Sequence, residues 1–473
     1  MPNFPEALLL MIVIIGILVS FNIFLGIASQ ISLFLCVILS VAFAMYLGYD
    51  WDATEGMIRD GLNIGLIAML INVLIGMLIA GLCASGTMPY LIYLGLKVIS
   101  PQFFLVTTFL TCCVLASCTG SSYTTAGTVG VAMLGIGTAM GVNPAIICGA
   151  ILGGCYFGDK ISPVSESTVF ASASAEASLF EHVHAMTFVI FPTTLILVVV
   201  YLFMGFRTGA TSVDTGATAA IESGLSELFH FNPLLLLPVI VVLILIVKKV
   251  PAVLTLTIGV LLCVACCMIF QKMSFVDVAK TLMNGFSAGS DNQTINDMLK
   301  KGGLNSMGNI IFVMLLGMPL GGILKGTKTL EVIVQHFSRF VNTVPKAIFI
   351  SVVTAAVNAG ITGNTYSSYI LTTAAFGKVY DAFELDRKCL SRTCEMSVVC
   401  TVLMPWTGTG MFMSSLFNLP VSAYAPYYFF GFLVPTLTII CGITGFGMFY
   451  TNGRRGWGKN RYVPKKLDKL ELN

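Results

Sequence analysis

Three ionisable residues lie close together in a segment whose other residues are hydrophobic or carry hydroxyl groups. Asp159, Lys160 and Glu166 fall within GDKISPVSEST at 158–168, where Pro163 interrupts an apolar run. A charge inside an apolar segment is costly to bury, so it is a candidate functional group. A carboxylate among hydroxyl and carbonyl oxygens suits a small hard cation such as Na⁺. We therefore expect Asp159 to hold either Na⁺, transiently, or a proton, so that binding of one releases the other.

The same charges allow other interpretations. Asp159 and Lys160 are neighbours and could form a structural ion pair at a helix end. Glu166 is either a second ligand or an exposed acid. Farther along the chain, Arg392 and Glu395 lie three residues apart. This spacing favours a structural salt bridge on one helix face.

Four segments combine hydroxyl-bearing residues, glycine and proline in a way that does not fit a lipid-facing helix. The stretches 116–128 (ASCTGSSYTTAGT) and 359–368 (AGITGNTYSS) predict the tips of re-entrant helical hairpins. The stretches 158–168 and 404–411 (MPWTGTGM) predict helices that are broken at a proline. Irregular backbone at membrane depth persists only where it is buried in protein or lines a cavity. Surface loops between spans are the alternative, but four segments in symmetric positions favour a cavity whose helix ends bind ions.

The composition is that of a membrane protein. Of the 473 residues, 56% are hydrophobic and only 10% are charged, and the mean hydropathy is +0.92. Soluble domains carry about 25% charged residues, so this chain has too few charges to cover the surface of a soluble protein. The apolar runs predict an all-α polytopic protein with about 10 to 13 membrane segments. A net charge of +3 argues against a nucleic-acid partner.

An internal duplication relates the two halves of the chain. Short matches recur in the same order, about 242 residues apart, as in Gly61 and Gly303 (303 − 61 = 242). The matched segments are 61–63 with 303–305, 75–78 with 316–319, 119–123 with 362–366, and 162–167 with 404–409. We predict a first transmembrane repeat at 1–207, an extramembrane linker at 208–230, a second, inverted repeat at 231–452 and a basic cytoplasmic tail at 453–473.

Basic residues suggest how the chain is oriented. The tail at 453–473 is rich in lysine and arginine, and Lys248 and Lys249 stand near the start of the second repeat. The positive-inside rule then puts both termini in the cytoplasm and the linker outside. Four lysines argue against this orientation, because it places their loop outside: Lys272, Lys280, Lys300 and Lys301.

The positions of the histidines do not indicate an enzyme or a metal site. The four histidines lie near predicted span ends rather than beside a buried nucleophile, so an enzyme is not expected. His182 and His184 adjoin Glu181, which favours an interfacial position over a metal site. We expect no catalytic residues and no cofactor apart from the transported Na⁺ and H⁺. The expected partners are the lipid bilayer, a small cation and, in the alternative below, a small carboxylate or amino acid; a homodimer is a further expectation.

Five segments resemble the NhaC-type sodium/proton antiporter family. They are TGSSYTTAGTVG at 119–130, GCYFGDKISPVSEST at 154–168, LFEHVHAM at 179–186, LSRTCE at 390–395 and MPWTGTG at 404–410, and the resemblance extends over about residues 5 to 450. It implies a secondary transporter of the bacterial inner membrane, within the ion-transporter superfamily. Relatives there have a scaffold part and a mobile part that contains two hairpins and two broken helices.

The resemblance also implies a set of ion- or substrate-binding residues. They are Asp159, Ser162, Ser165 and Glu166 in the first broken helix, Thr119, Ser121 and Ser122 in the first hairpin, Thr362, Asn364 and Thr365 in the second hairpin, and Thr407 and Thr409 in the second broken helix. Family members often have Asp in place of Glu166 and an acid in place of Asn364. The leading hypothesis is Na⁺/H⁺ exchange at Asp159. The alternative is a sodium- or proton-coupled carrier of a small organic acid, malate- or lactate-like, or of an amino acid.

Overall fold

The chain folds into helices. The computed structural model describes residues 1–163, 165–209, 215–248, 250–300, 302–338, 341–458 and 461–464. The β-type pairing within these ranges consists of two isolated bridges, Leu385 with Tyr450 and Phe449 with Arg455. The all-α prediction is therefore confirmed.

The helices follow one another with short connections. The first part of the chain forms α1 (Phe4–Val19), α2 (Ser29–Tyr46), α3 (Trp51–Ala84), α4 (Thr87–Val98), α5 (Phe104–Thr119), α6 (Ser122–Thr125), α7 (Val131–Ala139), α8 (Pro144–Ile161), α9 (Glu166–Ser174), α10 (Leu179–Gly209) and α11 (Thr215–Leu228). The second part forms α12 (Leu237–Val247), α13 (Ala252–Ile269), α14 (Phe275–Asn284), α15 (Gln293–Leu299), α16 (Gly308–Gly326), α17 (Thr329–Ser338), α18 (Val344–Thr362), α19 (Thr365–Ala382), α20 (Arg387–Ser397), α21 (Gly408–Phe417), α22 (Val421–Tyr424) and α23 (Phe429–Thr444). A π-helical turn at Ala126–Gly130 joins α6 to α7, and a 3₁₀ turn at Val398–Leu403 extends α20.

Many of these helices suit a bilayer. Within the described residues, eight helices are long and apolar enough to cross a membrane, or twelve spans if each of four bent helix pairs counts as one. This confirms a multi-pass protein. Of the predicted linker at 208–230, residues 210–214 lie outside the described ranges. The rest contains α11, whose side chains Ile221 and Leu225 are buried.

Helix ends occur at all four polar segments. The pair α8 and α9 bends by 50°, and the helical stretch Arg387–Leu403 bends by 48° against α21. At the two predicted hairpin tips, α5 and α18 each end before a glycine, Gly120 with φ 64° and Gly363 with φ 63°. Side chains rarely adopt this left-handed backbone, so glycine allows the chain to turn there.

Helices α3 and α16 pack closely at glycine positions, where a Cβ atom would clash with the neighbouring segment. Gly61 lies against the backbone of Met318 and Gly322, and the carbonyl of Gly76 accepts a 2.7 Å hydrogen bond from the N–H of Gly303. The first half of α3 therefore contacts the second half of α16, and the second half of α3 contacts the segment that leads into α16, so the two helices run antiparallel. Both contacts are equivalent under the duplication, because Gly303 follows Gly61 and Met318 follows Gly76 by 242 positions (303 − 61 and 318 − 76).

Candidate functional site

The hairpin tips and the helix breaks surround one cavity of about 430 Å³. Nine of the twelve residues expected to bind ion or substrate line it: Thr119, Ser121, Ser122, Asp159, Ser165, Glu166, Asn364, Thr365 and Thr409. The opposite walls are largely apolar and come from α3, α13 and α16, through Ile71, Thr255, Leu256, Met314 and Met318. Segments that are more than 200 residues apart in sequence thus meet at one site.

Three of the expected residues do not line this cavity. Ser162, Thr362 and Thr407 are buried. Their hydroxyls donate to backbone carbonyls, Ser162 to Ser117 at 2.7 Å, Thr362 to Asn358 at 2.7 Å and Thr407 to Thr401 at 2.8 Å. In this structure they hold the turns and breaks in shape, and Thr362 lines a neighbouring cavity of about 260 Å³.

Glycines on α8 bring Asp159 to the first hairpin tip. Gly154 and Gly158 lie one turn apart, and a Cβ at either position would clash with α5, at the carbonyl of Phe109 and the amide of Ser117. Small residues allow such close helix packing in membrane proteins. Because Asp159 follows Gly158 directly, its carboxylate lies next to the hairpin hydroxyls.

The two oxygens of Asp159 have different surroundings. Oδ1 accepts a 2.7 Å hydrogen bond from Ser165 Oγ. Oδ2 lies 3.2 Å from Lys160 Nζ, and the hydroxyls of Ser122 and Ser167 are both 3.5 Å away. Hydrogen bonds of this length are weak. Oδ2 is therefore held mainly by its ion pair with Lys160, which is one of the alternatives that the sequence left open.

The Lys160 ammonium has a second acid partner that sequence reasoning did not identify. Its Nζ lies 3.3 Å from Oε1 of Glu395 and donates to Ser167 Oγ at 2.8 Å. Glu395 comes from α20, and its side chain is fully buried. Its Oε1 also accepts hydrogen bonds from Ser167 at 3.0 Å and Thr168 at 3.1 Å.

The expected salt bridge between Arg392 and Glu395 does not form. Arg392 donates from Nη1 to the Gly447 carbonyl at 2.6 Å and from Nη2 to Met448 Sδ at 3.1 Å. The prediction was wrong because α20 is buried on all sides, so residues three apart reach different neighbouring segments.

His182 is also not interfacial. Its ring is fully buried, with Nε2 2.7 Å from Glu395 Oε2 and Nδ1 2.6 Å from Ser391 Oγ. A sequence signal for this position does exist. His182 shares an i, i+4, i+7 stripe with Met186 and Val189 of α10, both of which are buried. His184, off this stripe, is exposed as expected.

Aromatic contacts link each hairpin tip to the broken helix of the other half. The Tyr123 ring lies 4.7 Å from that of Phe412, and the Tyr366 ring lies 5.0 Å from that of Phe170. These two contacts are again equivalent under the duplication, since 366 − 123 is 243 and 412 − 170 is 242. The Tyr123 hydroxyl also hydrogen-bonds Thr409 Oγ1 at 2.9 Å.

Comparison with known proteins identifies the family. The family model described as "Na+/H+ antiporter family" matches residues 2–206 and 154–446. The chain belongs to the Na⁺/H⁺ antiporter family. This confirms the resemblance found in the sequence, and it means that the chain is a transporter rather than an enzyme. The family is named for the exchange of Na⁺ and H⁺, and it uses no cofactor.

Relatives of the antiporter differ in the substrates that their names state. The chain is 35% identical over 445 residues to "Na(+)/H(+) antiporter NhaC" of Alkalihalophilus pseudofirmus, covering 93% of this chain and 96% of the relative. It is 33% identical over 453 residues to "Malate-2H(+)/Na(+)-lactate antiporter" of Bacillus subtilis, covering 95% and 97%. It is 33% identical over 456 residues to "Arginine/ornithine antiporter ArcD" of Halobacterium salinarum, covering 95% and 93%.

The antiporter uses Asn364 as a helix cap. Its Oδ1 accepts hydrogen bonds from the backbone N–H groups of Tyr366 at 2.8 Å and Ser367 at 3.3 Å. Ser121 caps α6 in the equivalent place, through the N–H of Thr124 at 3.2 Å. Asn364 therefore has a structural role at the cavity wall.

Glu166 lies at the exposed rim of the cavity, as the first residue of α9. Within the described part of the antiporter, no group of three or more His, Cys, Asp or Glu side chains is arranged to hold a metal ion.

Proposed function

We propose that the chain is a secondary active transporter that exchanges Na⁺ for H⁺ at Asp159, midway through the bacterial cytoplasmic membrane. The observation that carries this proposal is the environment of the carboxylate. One oxygen is fixed by Ser165, and the other faces hydroxyl groups and an ammonium at the wall of a cavity. Hydroxyl and carboxylate oxygens suit a hard cation such as Na⁺, which has to displace the Lys160 ammonium from Oδ2.

A single carboxylate can couple the two ions by competition. Na⁺ bound at Oδ2 replaces the Lys160 ammonium as the nearest positive charge, with the hydroxyls of Ser122, Ser165 and Ser167 as neighbouring oxygens. A proton on the same carboxylate removes the negative charge that holds the cation. Because the two ions exclude each other, the carrier moves one in each direction.

The exchange is tested in everted membrane vesicles with a preset pH gradient. Addition of Na⁺ or Li⁺ should collapse the gradient in the wild type but not in Asp159→Asn. Asp52→Asn is the matched control, because Asp52 is exposed in the first turn of α3, away from the cavity. Full activity of Asp159→Asn would remove this carboxylate from the mechanism.

A second candidate function is coupled transport of a small organic acid or amino acid. The cavity of about 430 Å³ is much larger than a Na⁺ ion, and Tyr123, Tyr156 and Tyr366 give it aromatic walls. Small-molecule sites typically enclose about 300–1,000 Å³. Two of the relatives are also named for organic substrates. Counterflow of labelled malate, lactate or arginine, without a response of the pH gradient to Na⁺, would favour this candidate.

We also propose that residues 1–207 and 231–452 are inverted repeats, joined by an external segment at 208–230, with the tail 453–473 and both termini in the cytoplasm. The antiparallel crossing of α3 and α16 and the reciprocal aromatic contacts support this arrangement. Several lysines that bear on orientation lie outside the described ranges, namely Lys249, Lys301, Lys459, Lys465, Lys466 and Lys469. Labelling of single cysteines at the two ends from either side of the membrane tests the orientation, and cross-linking in native membranes tests the homodimer.

A further inference from the structure

The buried side chains behind Asp159 support an inference that rests on the proposed function. We propose that Glu395 is the alternate acceptor of the Lys160 ammonium, which it takes over when Na⁺ occupies Asp159. Glu395 is thus a positioning residue, since it acts on the ion through Lys160.

The position of Lys160 Nζ supports this role directly. It lies 3.2 Å from Asp159 Oδ2, 3.3 Å from Glu395 Oε1 and 2.8 Å from Ser167 Oγ. An ammonium group has three N–H donors, and three acceptors surround it here. Because the two carboxylates are almost equally distant, a small rotation of the lysine side chain transfers its charge from one acid to the other.

Cation binding makes such a transfer necessary. Na⁺ and the ammonium compete for the same oxygen, Oδ2 of Asp159. The Lys160 side chain is only 4% exposed, so few water molecules can replace the lost partner. A buried charge left without a counter-charge costs several kcal/mol. Glu395 supplies that counter-charge and so lowers the cost of displacing Lys160.

Glu395 is built as a fixed acceptor and not as an ion ligand. Its side chain is fully buried and does not line the cavity. Its Oε2 is held by His182 Nε2 at 2.7 Å, and its Oε1 by the hydroxyls of Ser167 and Thr168. His182 is held in turn by Ser391, from the same helix as Glu395.

The Ser167 hydroxyl also favours transfer of the Lys160 ammonium from Asp159 to Glu395. It has one hydrogen, and its oxygen lies 3.0 Å from Glu395 Oε1 but 3.5 Å from Asp159 Oδ2. The shorter contact is the stronger hydrogen bond. Ser167 therefore donates to Glu395 and accepts from Lys160, which connects the ammonium to its alternate partner before Na⁺ arrives.

The test is Na⁺ transport by purified protein in liposomes, with KM and maximal rate measured for Glu395→Gln and Glu395→Asp. Without the alternate acceptor, the Lys160 ammonium stays on Asp159. Glu395→Gln should therefore raise the KM for Na⁺ about 10- to 100-fold, which is the change in affinity that corresponds to the loss of one hydrogen bond to a charged group. The maximal rate should change less than the KM, and Glu395→Asp should recover much of the affinity. Glu181→Gln is the matched control, because Glu181 is largely exposed and lies outside the network.

A second measurement separates this role from a merely structural one. In a Lys160→Gln background, Glu395→Gln should alter Na⁺ binding to detergent-purified protein by less than about threefold, because the group through which it acts is gone. An unchanged KM in Glu395→Gln, or an equal effect with and without Lys160, would overturn the proposal. If Glu395→Gln does not fold, Glu395→Asp is compared instead: its smaller loss of Na⁺ affinity should be present with Lys160 and absent in the Lys160→Gln background. Absence of Na⁺-driven exchange in the wild type would instead reject the proposed function itself.

Discussion

Glu395 and His182 are 213 residues apart in the sequence, yet Oε2 of one lies 2.7 Å from Nε2 of the other in the buried interior. Through Lys160 this contact continues to Asp159 at the cavity wall. Residues from α8, α10 and α20 thus form one connected polar network. Its members depend on one another, because each of these side chains is at most 10% exposed.

Replacement of His182 tests whether this network also stabilises the fold. His182→Leu leaves the Oε2 atom of Glu395 buried without its partner, which should cost about 1–3 kcal/mol. The measurement is the thermal unfolding of detergent-purified protein. His184→Leu is the matched control, because His184 is exposed and should have little effect. Equal unfolding temperatures for His182→Leu and the wild type would show that the contact contributes nothing to stability.

Replacement of Gly158 tests how the site is positioned. A Cβ in Gly158→Ala would clash with Ala116 and Ser117, and so move Asp159 away from the first hairpin tip. Overpacking of this kind typically costs about 1–3 kcal/mol. We expect lower stability and a weaker affinity for Na⁺, whereas Gly56→Ala, with open space around the added Cβ, should behave as the wild type. Normal Na⁺ affinity in Gly158→Ala would argue that the close packing of α5 and α8 is not needed.

Asn364→Asp tests why the chain has an amide at the second hairpin tip. Asp and Asn cap helices about equally well, so the fold should be retained, whereas Asn364→Ala should lose about 1 kcal/mol. A further carboxylate at the cavity wall, beside Asp159 and Glu166, should lower the KM for Na⁺ and change the number of protons exchanged per Na⁺. Flux ratios at a series of membrane potentials measure this number. The same ratio in Asn364→Asp and the wild type would show that this position does not take part in coupling.

The two aromatic contacts offer a test of the predicted inverted repeats. If the halves are equivalent, Tyr123→Leu and Tyr366→Leu should each reduce the transport rate. One substitution should increase the solvent exposure of the larger cavity relative to the smaller one, and the other should decrease it. Accessibility of single cysteines at Val250 and Asp60, which line the larger and the smaller cavity respectively, reports that exposure. Identical shifts for the two substitutions would contradict the symmetry.

Local features of the sequence predicted the fold and much of the site. The hairpin tips and helix breaks depend on nearby glycine, proline and hydroxyl residues, such as Gly120, Gly363 and Pro163, so a short window contains the signal. The duplication then indicated which segments meet. Nine of the twelve residues that the family resemblance implied line the cavity.

The network behind Asp159 was harder to predict because it depends on contacts between distant segments. The spacing of Arg392 and Glu395 is right for a salt bridge, but burial of α20 gives each residue a different partner. The partner of Glu395, Lys160, lies on another helix more than 200 residues earlier. Only His182 had a local signal, its place on the buried stripe of α10.

The most direct test of the central claim is the KM for Na⁺ in liposomes as a function of pH. Competition of Na⁺ and H⁺ for the Asp159 carboxylate predicts that the KM rises by up to about tenfold per unit of decreasing pH, while the maximal rate stays constant. It also predicts that Asp159→Asn loses both transport and this dependence. A KM for Na⁺ that does not change with pH, or an Asp159→Asn variant that keeps the wild-type dependence, would contradict the account.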